Sequence, residues 1–214
     1  MKHAILLLCL LSSAVLAEPA PRTGAGYRIP TPNHTFRFPR DHGSHPEFKI
    51  EWWYITGHLQ DQSSRRFGYQ ATFFRYAMHS GIHGTLSAFG TNQMYLAHMA
   101  LSDLDEKQFY HEERLNRDGW DASAQVDDLD LRNGNWSLQR TTNEVMALQA
   151  TIRSDVVFDL KLDPAQPLVI FGADGLSRKG AEPSACSWYI TYPRLRTSGT
   201  LKLAGKAMKV TGES

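Results

Sequence analysis

Glu51 opens the run Glu51-Trp52-Trp53-Tyr54-Ile55-Thr56-Gly57-His58-Leu59, in which one carboxyl group meets two indoles and a phenol. Among apolar rings the charged form of a carboxyl is penalised, so its pKa rises and it can hand over a proton. Aromatic faces can steady a developing cation by about 0.5–2 kcal/mol each, and Trp52, Trp53, Tyr54 and Phe73 are the rings at hand. A second run, Phe67-Gly68-Tyr69-Gln70-Ala71-Thr72-Phe73-Phe74-Arg75, adds two more polar groups, and His98 lies on a third. One reading makes Glu51 a catalytic acid, with His98 as a proton shuttle. Trp52, Trp53, Tyr54, Tyr69, Gln70, Phe73 and Arg75 then form a ligand pocket. A second reading pairs Glu51 with Arg75 or His98 inside the fold, because a buried charge needs a partner. A third makes Glu51 the polar anchor of a bound ligand.

Other chemistries have weaker support. Asp41-His42-x-x-His45-x-Glu47 holds residue types that bind Zn²⁺. Gly43 and Pro46 make it a turn, however, where Asp and His usually bond to loop backbone. His79 and His83 have the same standing, and Asp127-Asp128-Leu129-Asp130 reads as a solvated turn rather than a Ca²⁺ loop. There is no Gly-x-Ser-x-Gly elbow, and Gly172-x-x-Gly175 joins strands rather than opening a helix. No metal or organic cofactor is expected.

The elements that must position these groups are strands. Aromatic and β-branched residues with period-two patterning mark 50–59, 66–75, 93–102, 134–140, 145–152, 155–163, 185–193, 198–203 and 206–211. Turn residues separate them, including Ala173-Asp174-Gly175 and Ala204-Gly205. The stretch 103–115 has the composition for a helical turn. Many short strands without alternating helices predict an all-β fold, either a closed or nearly closed antiparallel barrel or a sandwich. A barrel of about eight strands has room for one small ligand. Alternation sets Glu51, Trp53, Ile55, Gly57 and Leu59 on one face and Trp52, Tyr54, Thr56 and His58 on the other. Both faces are aromatic, so periodicity leaves the inward one open. Residues 76–92 form a long loop placed to cover a barrel mouth.

The first seventeen residues read as a cleaved signal peptide: a short basic start, an apolar run and Val15-Leu16-Ala17 as the cleavage site. The mature chain would be secreted or periplasmic and begin at Glu18. Residues 18–35 form an extended arm, and 36–214 the barrel. Outside the leader Cys186 is the sole cysteine, so no internal disulfide is available. A formal charge of +1 gives no reason to expect nucleic acid as a partner. Asn33-His34-Thr35 and Asn135-Trp136-Ser137 are glycosylation triplets that matter only in a eukaryotic exporter.

Asp41-His42-Gly43-Ser44-His45-Pro46-Glu47-Phe48 leads into Glu51-Trp52-Trp53-Tyr54, followed by Gly68-Tyr69-Gln70, Thr72-Phe73-Phe74-Arg75, Ala97-His98 and Gly172-Ala173-Asp174-Gly175-Leu176-Ser177-Arg178-Lys179-Gly180. In this order, from about residue 36 to the end, the chain resembles the secreted lipocalin-like family of carotenoid 1,2-hydratases and AttH proteins associated with ABC transporters. The resemblance implies lipocalin-like (calycin) β-barrels, two in tandem. Family members continue past the equivalent of Val210-Thr211-Gly212 into a Trp-Met-Asp motif, so this chain is expected to carry the first barrel without the second. Three functions are implied: a protein binding an apolar lipid or isoprenoid, a hydratase adding water to an isoprenoid double bond with Glu51 as acid, and an accessory protein whose partner is a membrane transporter.

Overall fold

The computed structural model describes residues 20–79, 92–119, 121–142 and 144–214. The leader, and most of the 76–92 loop with His83, lie outside them.

The two aromatic runs form β1 (Ile50–Asp61) and β2 (Arg66–Ala77). The Asp61 carboxylate closes their turn by accepting the backbone N–H groups of Ser63 and Arg65 at 2.8 and 3.0 Å. Beyond them come β3 (Gln93–Asp103), β4 (Gln108–Arg117), β5 (Ala122–Ala124), β6 (Asp130–Asn133), β7 (Trp136–Arg140), β8 (Met146–Ile152) and β9 (Val156–Pro164). The last four are β10 (Val169–Arg178), β11 (Cys186–Thr191), β12 (Leu195–Leu203) and β13 (Lys206–Glu213). Eleven strands make one antiparallel sheet in the order β4-β3-β2-β1-β13-β12-β9-β8-β7-β6-β5, while β10 and β11 form a separate ribbon.

The sheet curls until its edges meet, giving the nearly closed lipocalin-like barrel expected, not a sandwich. At the seam Asn116 donates to the Asn133 side chain at 2.7 Å, and Asn133 donates to the Tyr95 carbonyl at 3.1 Å. The Arg114 guanidinium lies 4.0 Å from the centroid of the Trp136 ring. Side chains thus close a gap that backbone pairing leaves open.

Inside, the alternating apolar residues form one core that includes Ile55, Leu59, Phe67, Phe73, Trp136 and Phe158. Removing such area from water supplies the main driving force, at roughly 25 cal/mol per Å². This settles the ambiguous faces. Glu51, Trp53, Ile55, Gly57 and Leu59 point inward on β1; Tyr69, Phe73 and Arg75 do so on β2. Gly57 is required by the approach of β13: a Cβ there would stand 2.7 Å from the Glu213 carbonyl oxygen.

Two expectations need correction. The 103–115 stretch holds the start of β4 and no helical turn. Pairing with β3 satisfies its backbone, and its alternation places Tyr110, Glu112 and Arg114 toward the seam, leaving Phe109 and Leu115 64% and 61% exposed. The turn signal Ala173-Asp174-Gly175 does not separate two strands; it is an irregularity within β10. Gly172, Asp174 and Gly175 have positive φ there, and the register with β11 shifts between Phe171 and Leu176.

Candidate functional site

At one end of the barrel the arm, the 36–48 segment and the β10–β11 ribbon enclose a cavity of about 770 Å³ with the N-terminal half of β1. Phe48, Trp52, Trp53, Tyr54, Trp188 and Ile190 contribute apolar wall, with Leu138 and Met146 reaching it from inside the barrel.

One polar chain runs along this wall. Asp41 Oδ1 lies 3.0 Å from His45 Nε2, and His45 Nδ1 lies 2.8 Å from Glu51 Oε1. Glu51 Oε2 accepts from Arg75 Nε at 2.6 Å and from Ser44 Oγ at 3.0 Å. The His45 backbone N–H also reaches the Glu51 carboxylate, at 2.8 Å from Oε2. Arg75 spends its remaining donors on the Gln93 side chain at 2.6 Å and on the Phe48 and His45 carbonyls at 2.7 and 3.1 Å. Glu51 and Arg75 face each other because they are register partners on β1 and β2. His45 is brought in by the 3-10 turn Arg40–His42 and by Gly43. A Cβ on Gly43 would lie only 2.8 Å from the Gln125 and Val126 carbonyl oxygens, so glycine lets the segment seat there.

The electrostatics reverse the premise made for Glu51. Burial pushes its pKa up, but the His45 hydrogen bond and the Arg75 charge outweigh that and hold it below the usual carboxylate range. Burial likewise pushes His45 down, yet the Glu51 and Asp41 carboxylates raise it above an ordinary histidine. Each ring nitrogen faces a carboxylate oxygen, and only the doubly protonated imidazolium can donate to both. The arrangement therefore favours the protonated form of His45, between two carboxylates, and the ionised form of Glu51.

A second cluster gathers around His42, on the same 36–48 segment. Tyr192 donates to Glu144 at 2.8 Å, and His42 Nε2 lies 3.4 Å from the same carboxylate. Burial keeps the His42 ring toward its neutral form, Glu144 opposing. Burial and the Glu144 carboxylate push the Tyr192 phenol up. Tyr189, pushed up to about 12 by its hydrogen bond with Tyr54, meets the Tyr54 hydroxyl across the cavity.

The structure unites only part of the expected set. Glu51, Trp52, Trp53 and Tyr54 line the cavity. Arg75 is 0% exposed and stands behind Glu51, off the lining. Phe73 and Tyr69 are core residues; the Tyr69 hydroxyl contacts Ser214 Oγ at 2.6 Å. Gln70 is on the outer face, donating to Thr72 Oγ1. His98 is also outside the barrel, 3.4 Å from Glu113 and edge-on to Phe74, so it cannot share a proton with Glu51. The reason is parity: Gln70 and His98 sit on the opposite pleat from Arg75 and its neighbours. Asp41 and His45, weighed as metal ligands, are committed to each other and to Glu51; among the described residues no three such groups form a metal-ligand set. The residues missed as site members are His45, Asp41, Trp188 and Tyr192. Only the Asp41–His45 spacing left a trace in the sequence.

Comparison with known proteins agrees with this architecture. The AttH-like family model matches residues 29–214. The crystal structure of a protein described as an AttH from Nitrosomonas europaea is 33% identical with a TM-score of 0.75, over 86% of this chain and 54% of that one. Kievitone hydratase from Nectria haematococca is 12% identical with a TM-score of 0.59, over 91% of this chain and 54% of that one, a likeness of fold alone. No curated protein matches. The chain spans about half the length of each solved structure. With a nearly closed barrel, the motif-bearing β1–β2 hairpin and a match over most of its length, the chain belongs to the AttH-like family.

Proposed function

We propose that this protein binds an apolar lipid or isoprenoid in the cavity beside β1. The observation that carries the reading is the cavity itself. Its volume of about 770 Å³ suits one elongated small molecule, and its walls are mostly apolar, with several aromatic rings among convergent polar groups. Trp52, Trp53 and Trp188 all line it, so a bound polyene would quench their emission. Titration with retinol should give saturable quenching, and Trp188→Ala should weaken binding about tenfold, roughly 1.4 kcal/mol. Absence of quenching, together with absence of co-purifying lipid by mass spectrometry, would remove the proposal.

A second reading, hydration of an isoprenoid double bond, draws on the protonated His45. The alkene carbon would take a His45 proton, forming a C–H bond and a tertiary cation beside the indoles and the Glu51 carboxylate. Water would then add and return a proton to the ring, leaving only water consumed. Here the Glu51 carboxylate steadies the cation and holds the ring in place through His45 Nδ1, and the proton of the added water restores the imidazolium. Incubation with an acyclic carotenoid and chromatography for a tertiary alcohol tests this, and unchanged product formation by His45→Gln would exclude it.

A further inference from the structure

The carboxylate side chains on the cavity wall are answered, but a guanidinium there is answered only in part. Asp41 and Glu51 line the cavity and are both held by His45, at 3.0 and 2.8 Å. Arg28 lines it as well, reaching in from the arm. Its Nη1 turns to Glu47, which is off the lining, and donates to Oε1 at 3.1 Å. Its Nε is shielded from solvent and has no hydrogen-bond partner among the described residues. The Ser187 hydroxyl, on another lining residue, is shielded and unpartnered in the same way.

A charged donor shut away from water without an acceptor is costly, so these groups call for an acceptor that the protein does not itself supply. The chemistry of the acceptor follows from the geometry of the donor. The Nε–H and Nη2–H of a guanidinium lie side by side as a fork that matches the two oxygens of a carboxylate. With Nη1 committed to Glu47, that edge of Arg28 is the one left over. Its surroundings are apolar. The guanidinium stands 5.6 Å from the centroid of the Phe48 ring and 5.7 Å from that of Trp188. Trp188 Nε1 donates to the Thr31 carbonyl at 2.8 Å, which ties the arm to β11 at this point. Phe48 and Trp188 belong to the same lining as Trp53, Leu138 and Met146. One cavity thus offers a cationic fork and a continuous apolar wall.

We propose that Arg28 receives the head group of the ligand, and that the ligand is a carboxylic acid carried on a long apolar chain. The inference rests on the ligand reading above and narrows it from apolar molecules in general to amphipathic acids. The carboxylate would sit in the Nε–Nη2 fork with Ser187 as a further donor. The chain would run along the rings toward Leu138 and Met146. A ligand with a neutral head would leave the fork without a charged acceptor and bind more weakly.

Retinoic acid and retinol test this, since they share one polyene and differ at the head. Tryptophan quenching is measured with each at about pH 8, where a carboxylic acid is ionised. Retinoate should bind about tenfold tighter or more. Arg28→Met keeps an apolar stem between the rings and removes the fork, so it should bring the two affinities level. Arg28→Lys keeps the charge without the fork and should retain only part of the preference. Equal affinities in the unaltered protein would overturn the proposal and leave the ligand reading intact. A preference that survives Arg28→Met would overturn it too. Displacement of retinoate by acetate at equal concentration would do the same, because the site would then be one for small anions. Quenching by neither compound would bring down the ligand reading and this one with it. The comparison in the unaltered protein needs no variant, so it decides even where a substitution prevents folding.

Discussion

At the scale of single residues, the informative group is the Glu51–Arg75 pair. Arg75 is wholly buried, and its charge is answered by one carboxylate. Breaking such a pair by removing one partner costs on the order of 3–5 kcal/mol, because an uncompensated charge stays inside. Glu51→Gln is therefore expected to lower stability by about that amount, read from urea midpoints. Combining it with Arg75→Met should recover most of the loss, and additive losses in the double variant would show that the pair is not coupled. The consequence for function is direct. Any effect of Glu51→Gln or His45→Gln on turnover must be judged against its effect on the fold, since each removes one charge from the Asp41–His45–Glu51–Arg75 chain.

At the scale of elements, His45 pins the 36–48 segment across the barrel end. Its pKa is raised in the folded protein, so its contribution is full below the unfolded value of about 6.5 and fades as pH climbs through the folded one. Glu51 and Asp41 are depressed, so theirs is full above about 4.3 and 3.9 and fades as pH falls through the folded values. The latch is accordingly strongest between about pH 4.5 and 6.5. Urea midpoints across pH should show a loss of stability on the alkaline side that His45→Gln abolishes; an unaltered profile in the variant would place the effect elsewhere. The strand end at Gly57 makes a further case. Gly57→Ala should cost about 1–3 kcal/mol by overpacking against Glu213. Slowed exchange at His58 and Leu59 in that variant would contradict this.

At the scale of the whole molecule, the barrel closes through side chains where β4 nears β5 and β6, and that seam is its weak line. Asn133 is buried and bonded to both Asn116 and the Tyr95 carbonyl. Asn133→Leu would leave those groups unsatisfied, at about 1–3 kcal/mol. Faster hydrogen exchange along β4, with β12 unchanged, is the expected sign of a seam opening before the rest. The cavity beneath the β10–β11 ribbon and the arm, where binding is proposed, lies at the same level of the barrel, since Glu51, Arg75, Tyr95 and Asn116 are successive register partners.

Much of this was legible beforehand. The alternation of Ile50–Asp61 and Arg66–Ala77 specifies strands wherever they are placed, and their aromatic content suits a buried face. The pairing of Glu51 with Arg75 was open to view as well, since a short turn sets the hairpin register. β4 gives no strand signal because its inward residues are polar and its outward ones include Phe109 and Leu115, an inversion explained only by the seam it faces. Residue type alone groups His98 and Gln70 with Arg75, although parity separates them. The sequence alone determined the all-β class, the hairpin and the family resemblance, because these depend on local period and residue order. Only the tertiary structure decided that His45 bridges Asp41 and Glu51 and that Trp188 and Tyr192 line the cavity. Those facts depend on contacts between segments that the fold brings together, whose spacing leaves no local pattern to read.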